Sequence, residues 1–373
     1  MLYLRFRPSM VTDQLRRDLE AARAELDPYA SLPSQYTGEL RRHVLAQSVH
    51  YSTRIEGNTL TIEQVESLLA GKKVAAPRGQ LQEAQNHAEA IAYAQSLAVG
   101  PNERITEDNV RTIHYLLSKS LPGGYDPGRY RTVQNFVIDR LTDRRVFFPP
   151  RESEVPDLMG ELLDWLNSER EMPPTYRAAL AHLNLVAVHP FLDGNGRTAR
   201  VLETLLMYQA DYRSQALVSL EAYYGRDTRA YYDGLRASLG PRYGPDRADV
   251  TPWIDYSLRA HIEQANGAVE SVRRVVAEVD GLWEAFEGEG VTPWQNLALW
   301  IACRWGRASN RDYRLIAARS SQPAAGDLSK LVELGLLQRI GMGRSTVYVA
   351  TPRVRVVFDL AQPNTEDPDL PRS

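Results

Sequence analysis

The chain has 373 residues, a length at which a single hydrophobic core usually gives way to two or three domains. Its 43% hydrophobic and 24% charged residues are typical of globular proteins, and its formal net charge of −3 argues against an overall basic field for nucleic acid. The single cysteine, Cys303, excludes an intrachain disulfide, and no run of 18 apolar residues occurs, so we expect a cytoplasmic protein that does not span a membrane.

Helical periodicity dominates the chain from about residue 11 to residue 287. We expect the first amphipathic helix to stop at Pro28 and a second helix, at about 39–56, to end at Gly57. Thr61 and Gln64 then have the spacing of a capping box that starts another helix. Further helices are predicted at about 80–98, 106–119, 153–168, 173–188, 196–210, 228–239 and 251–286.

Two segments depart from the helical pattern. Residues 133–148 place β-branched and aromatic side chains on both sides of a polar stretch, which predicts one β-hairpin. After a linker-like run at 287–291, short helices precede two predicted strands, at 336–340 and 346–349, with glycines between them. This order of elements indicates a winged helix, and the tail at 362–373 is expected to be frayed.

We therefore predict a mainly α fold: a helical bundle with one β-hairpin, followed by a C-terminal winged-helix domain. The expected domains are an N-terminal helical region at 1–100 that includes a helix at about 39–57, a core at 101–250, connecting helices at 251–290, a winged-helix-like domain at 291–355 and a flexible tail at 356–373.

The segment at 189–200 carries most of the chemical information. Pro190 disfavours helical geometry at the preceding residue, so His189 is expected at the end of a helix, exposed on a turn. Gly194 and Gly196 allow the backbone to turn with its N–H groups pointing inward just where the next helix begins. A turn of this kind at a helix N-terminus predicts an anion site.

Charged side chains within the same segment point to phosphoryl-group chemistry. Arg197 and Arg200 are three residues apart on one helix face, where two guanidinium groups can hold phosphate oxygens. Asp193 would repel a phosphate unless a cation lay between them, so its presence implies bound Mg²⁺. His189 can titrate near neutral pH and accept a proton from an attacking hydroxyl.

The segment resembles the defining motif of the Fic family, HPFx[D/E]GNGRxxR, at every fixed position. The resemblance implies a Fic-type helical bundle and a protein adenylyltransferase, which moves AMP from ATP to a Ser, Thr or Tyr hydroxyl of a target protein. It also implies a role for each residue: His189 as general base, Asp193 as Mg²⁺ ligand, Phe191 as core anchor, Gly194, Asn195 and Gly196 as the anion hole, and Arg197 and Arg200 as ligands of the ATP phosphates.

The resemblance extends to segments outside the motif. The hairpin at 133–148, with the residues before it at 128–131, is similar to the family's flap, which lays the target peptide alongside as an added strand. Tyr231 and Tyr232 resemble the tyrosine pair that lines the adenine pocket.

An inhibitory pattern of the family, [S/T]xxxE[G/N], is matched by residues 52–57. Glu56 stands at the predicted end of a helix, where the helix dipole disfavours a negative charge by roughly 0.3 to 1 kcal/mol, so a cationic partner would explain its position. The resemblance makes that partner Arg200, drawn away from the γ-phosphate of ATP, and makes Ser52 a support on the same helix face.

Several alternatives stay open at this point. Removal of AMP and transfer from another nucleotide-like donor use the same motif, and a regulator that binds DNA through the winged helix is a function of another class. Residues 292–350 carry eight cationic and three anionic side chains, which favours DNA binding. The helix expected at 321–334, however, offers only Lys330 as a cation, so protein docking or support of a homodimer is an equal alternative.

Overall fold

The computed structural model describes residues 1–98, 100, 103–123, 126–139, 144–210, 213–317 and 320–362. The helices before the motif are α1 (Met10–Ala30), α2 (Ser34–Ile55), α3 (Ile62–Leu69), α4 (Arg78–Leu97), α5 (Glu107–Ser118), α6 (Val155–Ser168) and α7 (Pro174–Val188). The later helices are α8 (Asn195–Gln209), α9 (Leu220–Arg226), α10 (Thr228–Leu239), α11 (Thr251–Phe286), α12 (Pro293–Arg304), α13 (Asn310–Ala317), α14 (Ser321–Glu333) and α15 (Pro352–Ala361). Two antiparallel hairpins pair β1 (Val137–Asp139) with β2 (Arg144–Phe147) and β3 (Leu337–Ile340) with β4 (Val347–Ala350).

The mainly α fold class is confirmed, and so is the hairpin within 133–148. Throughout the described ranges, every helix is too short or too polar to cross a bilayer. The chain divides into two compact units, one formed by Met1–Asp27 and His43–Asn266 and the other by Pro28–Arg42 and Gly267–Ser373.

In the first unit, α7 and α8 form the centre of the core. Residues 175–185 of α7 are all buried, as is nearly all of α8. A helix that is buried on every side must be enclosed by other elements, and α8 packs against α4, α5 and α7. The loop between α7 and α8, which carries the motif, is therefore held at both ends by the most buried helices of the unit.

The predicted helix ends are correct for α3 and displaced for α1 and α2. Thr61 and Gln64 form the expected capping box, with the Thr61 hydroxyl accepting from the Gln64 amide and the Gln64 side chain accepting from the Thr61 amide. The first helix does not stop at Pro28 but continues to Ala30. A proline lacks the amide N–H that would donate to the carbonyl four residues earlier. Only Tyr29 and Ala30 follow Pro28 in α1, so the missing hydrogen bond falls in the last turn of the helix.

The second helix begins earlier than predicted, at Ser34, and its last helical residue is Ile55. Glu56 therefore lies in the turn that follows α2 rather than within its last turn. Gly57 has a φ of 95°, a value that side chains with a Cβ disfavour, and its amide closes the turn by donating to the Arg54 carbonyl at 2.9 Å. This turn fixes the direction of the Glu56 side chain just after the end of α2.

The second unit contains the C-terminal elements in the predicted order. Helices α12, α13 and α14 precede the β3–β4 hairpin, and Ala308 extends that hairpin by exchanging two backbone hydrogen bonds with Tyr348, at 2.7 and 2.8 Å. Trp300 is buried in this unit, and its indole N–H donates to the Glu278 carboxylate at 2.8 Å. The tail predicted to be frayed lies outside the described residues from 363 onward.

Candidate active site

A cavity of about 810 Å³ opens beside the loop between α7 and α8. The motif contributes His189, Asp193, Gly196 and Arg200 to its wall, and Glu56 reaches it from the turn after α2. The β1–β2 hairpin and α10 complete the lining with Phe136, Val137, Ile138, Val146, Phe147, Tyr231, Tyr232, Leu235 and Leu239 among others. The cavity is thus lined by charged side chains at the motif and by mostly apolar side chains from the hairpin and α10.

His189 caps α7 in the left-handed conformation, with φ 51° and ψ 55°. Its Nδ1 lies 3.1 Å from the Val186 carbonyl oxygen, so this nitrogen carries the proton and donates, which leaves the Nε2 lone pair as an acceptor. Burial lowers the pKa of His189 to about 4. The ring is therefore neutral at physiological pH and able to take a proton.

The prediction that His189 is exposed on a turn is wrong in one respect, because the side chain is partly buried. Arg131 binds the backbone beside it. Its Nε donates to the His189 carbonyl at 2.9 Å, its amide donates to the Pro190 carbonyl at 2.8 Å, and its guanidinium also reaches the Pro150 carbonyl at 2.6 Å. Arg131 thereby ties the segments before and after the β1–β2 hairpin to the first residues of the motif.

Asn195 holds the shape of the loop. Its side-chain oxygen accepts from the Phe191 amide at 2.9 Å, and its side-chain nitrogen donates to the Phe191 carbonyl, also at 2.9 Å. Gly194 precedes it with a φ of 76° and caps the N-terminus of α8. The Phe191 ring is fully buried and stacks on His114 at 3.7 Å between ring centres. The loop is therefore fixed from both sides, with the start of α8 facing the cavity.

Arg200 is bound to residues 52–57, the segment that matches the inhibitory pattern. Only 1% of its side chain is exposed, and its Nε donates to the Ser52 hydroxyl at 2.8 Å. One terminal nitrogen donates to the Ser52 carbonyl at 3.0 Å and to Oε1 of Glu56 at 3.1 Å. The structure thus brings together the three residues that the sequence predicts as the inhibitory contact.

The position of Gly196 shows what else the Glu56 carboxylate covers. A Cβ atom placed on Gly196 would lie 2.9 Å from Oε1 of Glu56 and 3.2 Å from a terminal nitrogen of Arg200. A side chain at this position would therefore displace the Glu56 carboxylate, which rests directly against the loop backbone at the start of α8. An anionic group already stands at the predicted anion site.

Arg197 has a different carboxylate partner. Its guanidinium is 3% exposed and donates to Oε1 of Glu83 on α4 at 2.6 Å, and its other terminal nitrogen lies 3.9 Å from Asp193. Burial raises the pKa of Glu83, whereas Arg197 lowers it in part. The second oxygen of Glu83 accepts from the Asn58 side chain at 2.8 Å. Sequence reasoning missed Glu83, because no motif distinguishes it from a solvated helix residue.

Asp193 lines the cavity with 42% of its side chain exposed, and one of its oxygens accepts from the Gly194 amide at 2.6 Å. Over the described residues, no group of three or more His, Cys, Asp or Glu side chains is placed to hold a metal ion. Mg²⁺ is commonly held by one or two carboxylates together with substrate phosphates and water. The Asp193 carboxylate, which lines the cavity beside the anion site, fits that kind of binding.

The two tyrosines of α10 have different surroundings. Tyr231 is 1% exposed, and its hydroxyl lies 2.9 Å from Nε2 of His182 and accepts from Arg200 at 3.4 Å. Tyr232 is only partly buried and lines the cavity, with its ring centre 5.2 Å from that of Tyr231. Tyr232 can therefore face a bound base, whereas the Tyr231 hydroxyl is directed to Arg200.

The hairpin presents a strand edge near this cavity. Strand β1 pairs with β2 in a two-stranded sheet, and Ile138 of β1 is 49% exposed. The Asn135 side chain donates to the Phe191 carbonyl at 3.0 Å and ties the start of the hairpin to the motif. Residues 140–143 of the predicted flap lie outside the described residues.

Comparison with known proteins shows what the segment that carries this site is similar to. Residues 104–207 match the model of the Fic/DOC family. The chain is 30% identical over 237 residues to protein adenylyltransferase Fic of Nematostella vectensis, covering 62% of this chain and 50% of that protein. It is 32% identical over 240 residues to protein adenylyltransferase fic-1 of Caenorhabditis elegans, covering 60% of this chain and 41% of that protein. The chain thus spans half or less of the length of these curated relatives.

Solved structures agree with the family match. A Fic family protein from Desulfovibrio desulfuricans G20 superposes with a TM-score of 0.62 at 24% identity, covering 94% of this chain and 98% of that one. A Fic-1 fragment from C. elegans in which a glutamate is replaced by glycine gives a TM-score of 0.55 at 27% identity, covering 70% and 74% of the two chains. With the whole motif inside the matched residues, the chain carries a Fic domain and has the fold of Fic family proteins.

Proposed function

We propose that this protein is an adenylyltransferase that moves AMP from ATP to a Ser, Thr or Tyr hydroxyl of a target protein and is held inactive by Glu56. The observation that carries the proposal is the meeting of His189, the glycine loop and Arg200 in one cavity. The relatives named protein adenylyltransferase support the same activity.

The reaction follows from the geometry of His189. Its Nε2 lone pair is left to accept a proton because Nδ1 is bound to the Val186 carbonyl. Nε2 accepts the proton of the target hydroxyl, the hydroxyl oxygen forms a bond to the α-phosphorus of ATP, and the bond to pyrophosphate breaks. The backbone N–H groups of Asn195 and Gly196 at the start of α8 stabilise negative charge on the phosphate oxygens, while the Gly194 N–H holds the Asp193 carboxylate.

Asp193 would hold Mg²⁺ in this reaction. The bound ion would supply positive charge to the phosphate oxygens of ATP. Without a cation, the partly exposed Asp193 carboxylate would repel those oxygens, since it lies at the same end of the cavity as the anion site.

The apolar side of the cavity suits the adenine base. Tyr232, Leu235 and Leu239 of α10 line it, and Phe147 closes it from the hairpin. Tyr231 contributes to the same pocket through its buried ring, while its hydroxyl serves Arg200. The exposed edge of β1 is placed to receive a target segment as an added strand.

Inhibition follows from the position of the Glu56 carboxylate. It is bound to Arg200 and lies against Gly196, so it covers the groups that would receive the γ-phosphate. ATP and Glu56 would compete for the same positive charge, and ATP takes its reactive position only when Glu56 moves away.

Removal of AMP is a second candidate activity, favoured by the presence of the Glu56 carboxylate inside the cavity. In that reaction the carboxylate would orient a water molecule toward the modified residue. A time course that starts from a target already carrying AMP separates the two directions, because AMP is released only if removal is active.

For residues 291–355 we propose a winged helix that docks a protein or supports a homodimer. The order of α12, α13, α14 and the β3–β4 hairpin supports the fold. In α14, whose residues are all described, Lys330 is the single Lys or Arg, and it pairs with Glu333 at 3.3 Å, which weighs against DNA readout. We also propose a cytoplasmic location, with the single buried cysteine Cys303 as support.

Mass spectrometry of a cell lysate treated with the Glu56→Gly variant and labelled ATP tests the proposal. We expect AMP on Ser, Thr or Tyr residues of a small set of proteins, and no such modification with the Glu56→Gly/His189→Ala double variant. Absence of any AMP-modified peptide with the single variant would contradict the proposed activity.

A further inference from the structure

Arg200 has one hydrogen-bond acceptor that does not belong to the inhibitory segment. Of the hydrogen bonds that it makes within the described residues, three go to Ser52 and Glu56 and a fourth goes to the Tyr231 hydroxyl. If Glu56 moves away to admit ATP, as the proposed function requires, the Tyr231 hydroxyl remains, together with Ser52, as an acceptor that holds the guanidinium. What fixes the Tyr231 hydroxyl therefore matters for the active state.

Two further buried groups fix that hydroxyl. It lies 2.9 Å from Nε2 of His182, and Nδ1 of the same ring lies 2.7 Å from Oε2 of Glu203. An ionised carboxylate only accepts hydrogen bonds, so Nδ1 carries a proton, and in that neutral tautomer Nε2 offers its lone pair to the phenol. The tyrosine proton then points toward His182, and the lone pairs of its oxygen face Arg200.

Burial makes this arrangement rigid and electrostatically important. Glu203, His182, Tyr231 and Arg200 are each at most 1% exposed. Glu203 follows Arg200 by one turn of α8, and hydrogen bonds link the two side chains through His182 and Tyr231.

We propose that Glu203 and His182 are positioning residues that act through Tyr231 to keep Arg200 in place for the γ-phosphate of ATP. The inference rests on the proposed function and adds a set of three residues, the Glu203–His182–Tyr231 relay, that the motif does not contain. It also gives Tyr231 a role distinct from contact with the adenine base.

The relay makes a directional prediction for Glu203→Gln. The glutamine amide can donate to Nδ1 of His182, which moves the ring proton to Nε2 and turns the phenol proton toward Arg200. The phenol O–H of Tyr231 then points at the Arg200 guanidinium, which in the unsubstituted protein donates to the phenol oxygen. The Tyr231→Phe variant removes the same acceptor by deleting one oxygen atom, so it tests the inference even if Glu203→Gln does not fold.

The experiment compares ATP with ADP, which lacks the γ-phosphate. Isothermal titration with Mg²⁺ and each nucleotide is carried out in the Glu56→Gly background. We expect Tyr231→Phe and Glu203→Gln each to weaken ATP binding about tenfold while ADP binding changes less than about twofold, as for loss of one hydrogen bond to a charged group. Combining the two changes should weaken ATP binding no further, because both act on one acceptor.

Tyr224→Phe is the matched control. The Tyr224 hydroxyl donates to the same Glu203 carboxylate at 3.2 Å but makes no hydrogen bond to Arg200. We expect this variant to retain the preference for ATP over ADP. Equal weakening of ATP and ADP by Tyr231→Phe, or no weakening of either, would overturn the relay.

The measurements distinguish a failure of the proposed function from a failure of the relay. If Glu56→Gly neither binds ATP nor transfers AMP, the proposed function is wrong. If that variant transfers AMP and Tyr231→Phe leaves its ATP-to-ADP preference unchanged, only the relay is wrong.

Discussion

Oε1 of Glu56 lies 3.1 Å from a terminal nitrogen of Arg200, although the two residues are 144 positions apart in the chain. The same oxygen would be 2.9 Å from a Cβ atom on Gly196. One carboxylate thus covers both the guanidinium and the glycine loop, which are the two groups that the proposed reaction requires for the phosphates of ATP.

Ser52 contributes to the same contact, so its removal should relieve part of the inhibition. We expect Ser52→Ala to raise AMP transfer by up to about tenfold, because Arg200 loses one hydrogen bond to the inhibitory segment while Glu56 stays. Initial rates of labelled AMP incorporation measure the effect.

Ser48→Ala is the control for that change, since Ser48 lies one turn earlier on α2 and donates to Ser219 at 2.9 Å instead of contacting Arg200. It should leave the transfer rate close to that of the wild type. A similar gain from both serine variants would mean that loosening of α2, rather than release of Arg200, raises the rate.

His189→Ala should fold, bind Mg-ATP and lose transfer by roughly 10² to 10⁴, the usual contribution of a positioned general base. The comparison is made in the Glu56→Gly background, where the rate is high enough to measure. A rate within about twofold of the parent variant would show that another group accepts the proton.

The pH dependence of transfer should reflect the lowered pKa of His189. Burial lowers this pKa to about 4, so the ring is neutral and active as a base above that pH and loses activity as the pH falls through it. The acidic limb of kcat/KM against pH should therefore fall near pH 4. A limb at the ordinary histidine value of 6.5, with the fold intact by circular dichroism, would contradict this assignment.

Asp193→Ala should abolish Mg²⁺-dependent turnover and leave the fold intact. The side chain is partly exposed and makes a local contact with the Gly194 amide, so its loss creates no cavity. Turnover is measured across a Mg²⁺ titration, with thermal unfolding as the check on folding. Unchanged activity with an unchanged Mg²⁺ requirement would exclude Asp193 as the ligand.

The sequence predicts the local structure of this site well because its signals are local. Pro190 and the two glycines of the loop set the backbone between α7 and α8, and Thr61 with Gln64 sets the start of α3. The contact between Glu56 and Arg200 was predictable only because both residues lie in recognisable family motifs.

Partners that depend on tertiary packing were not predictable. Glu83 and Glu203 are charged residues on helices, and a solvated glutamate has the same local pattern as one that binds a buried arginine or histidine. His182 lies in no motif, and the structure gives it two hydrogen bonds in the core. These assignments require knowledge of which helix faces meet.

The most direct test of the account is AMP incorporation by wild type, Glu56→Gly and Glu56→Gly/Arg200→Ala with labelled ATP and Mg²⁺. A charge-assisted hydrogen bond of about 1.5 to 3 kcal/mol corresponds to roughly 10- to 100-fold, so Glu56→Gly should be labelled that much faster than wild type. The double variant should lose the gain, because the released arginine is what binds the γ-phosphate. Equal labelling of wild type and Glu56→Gly would contradict the account.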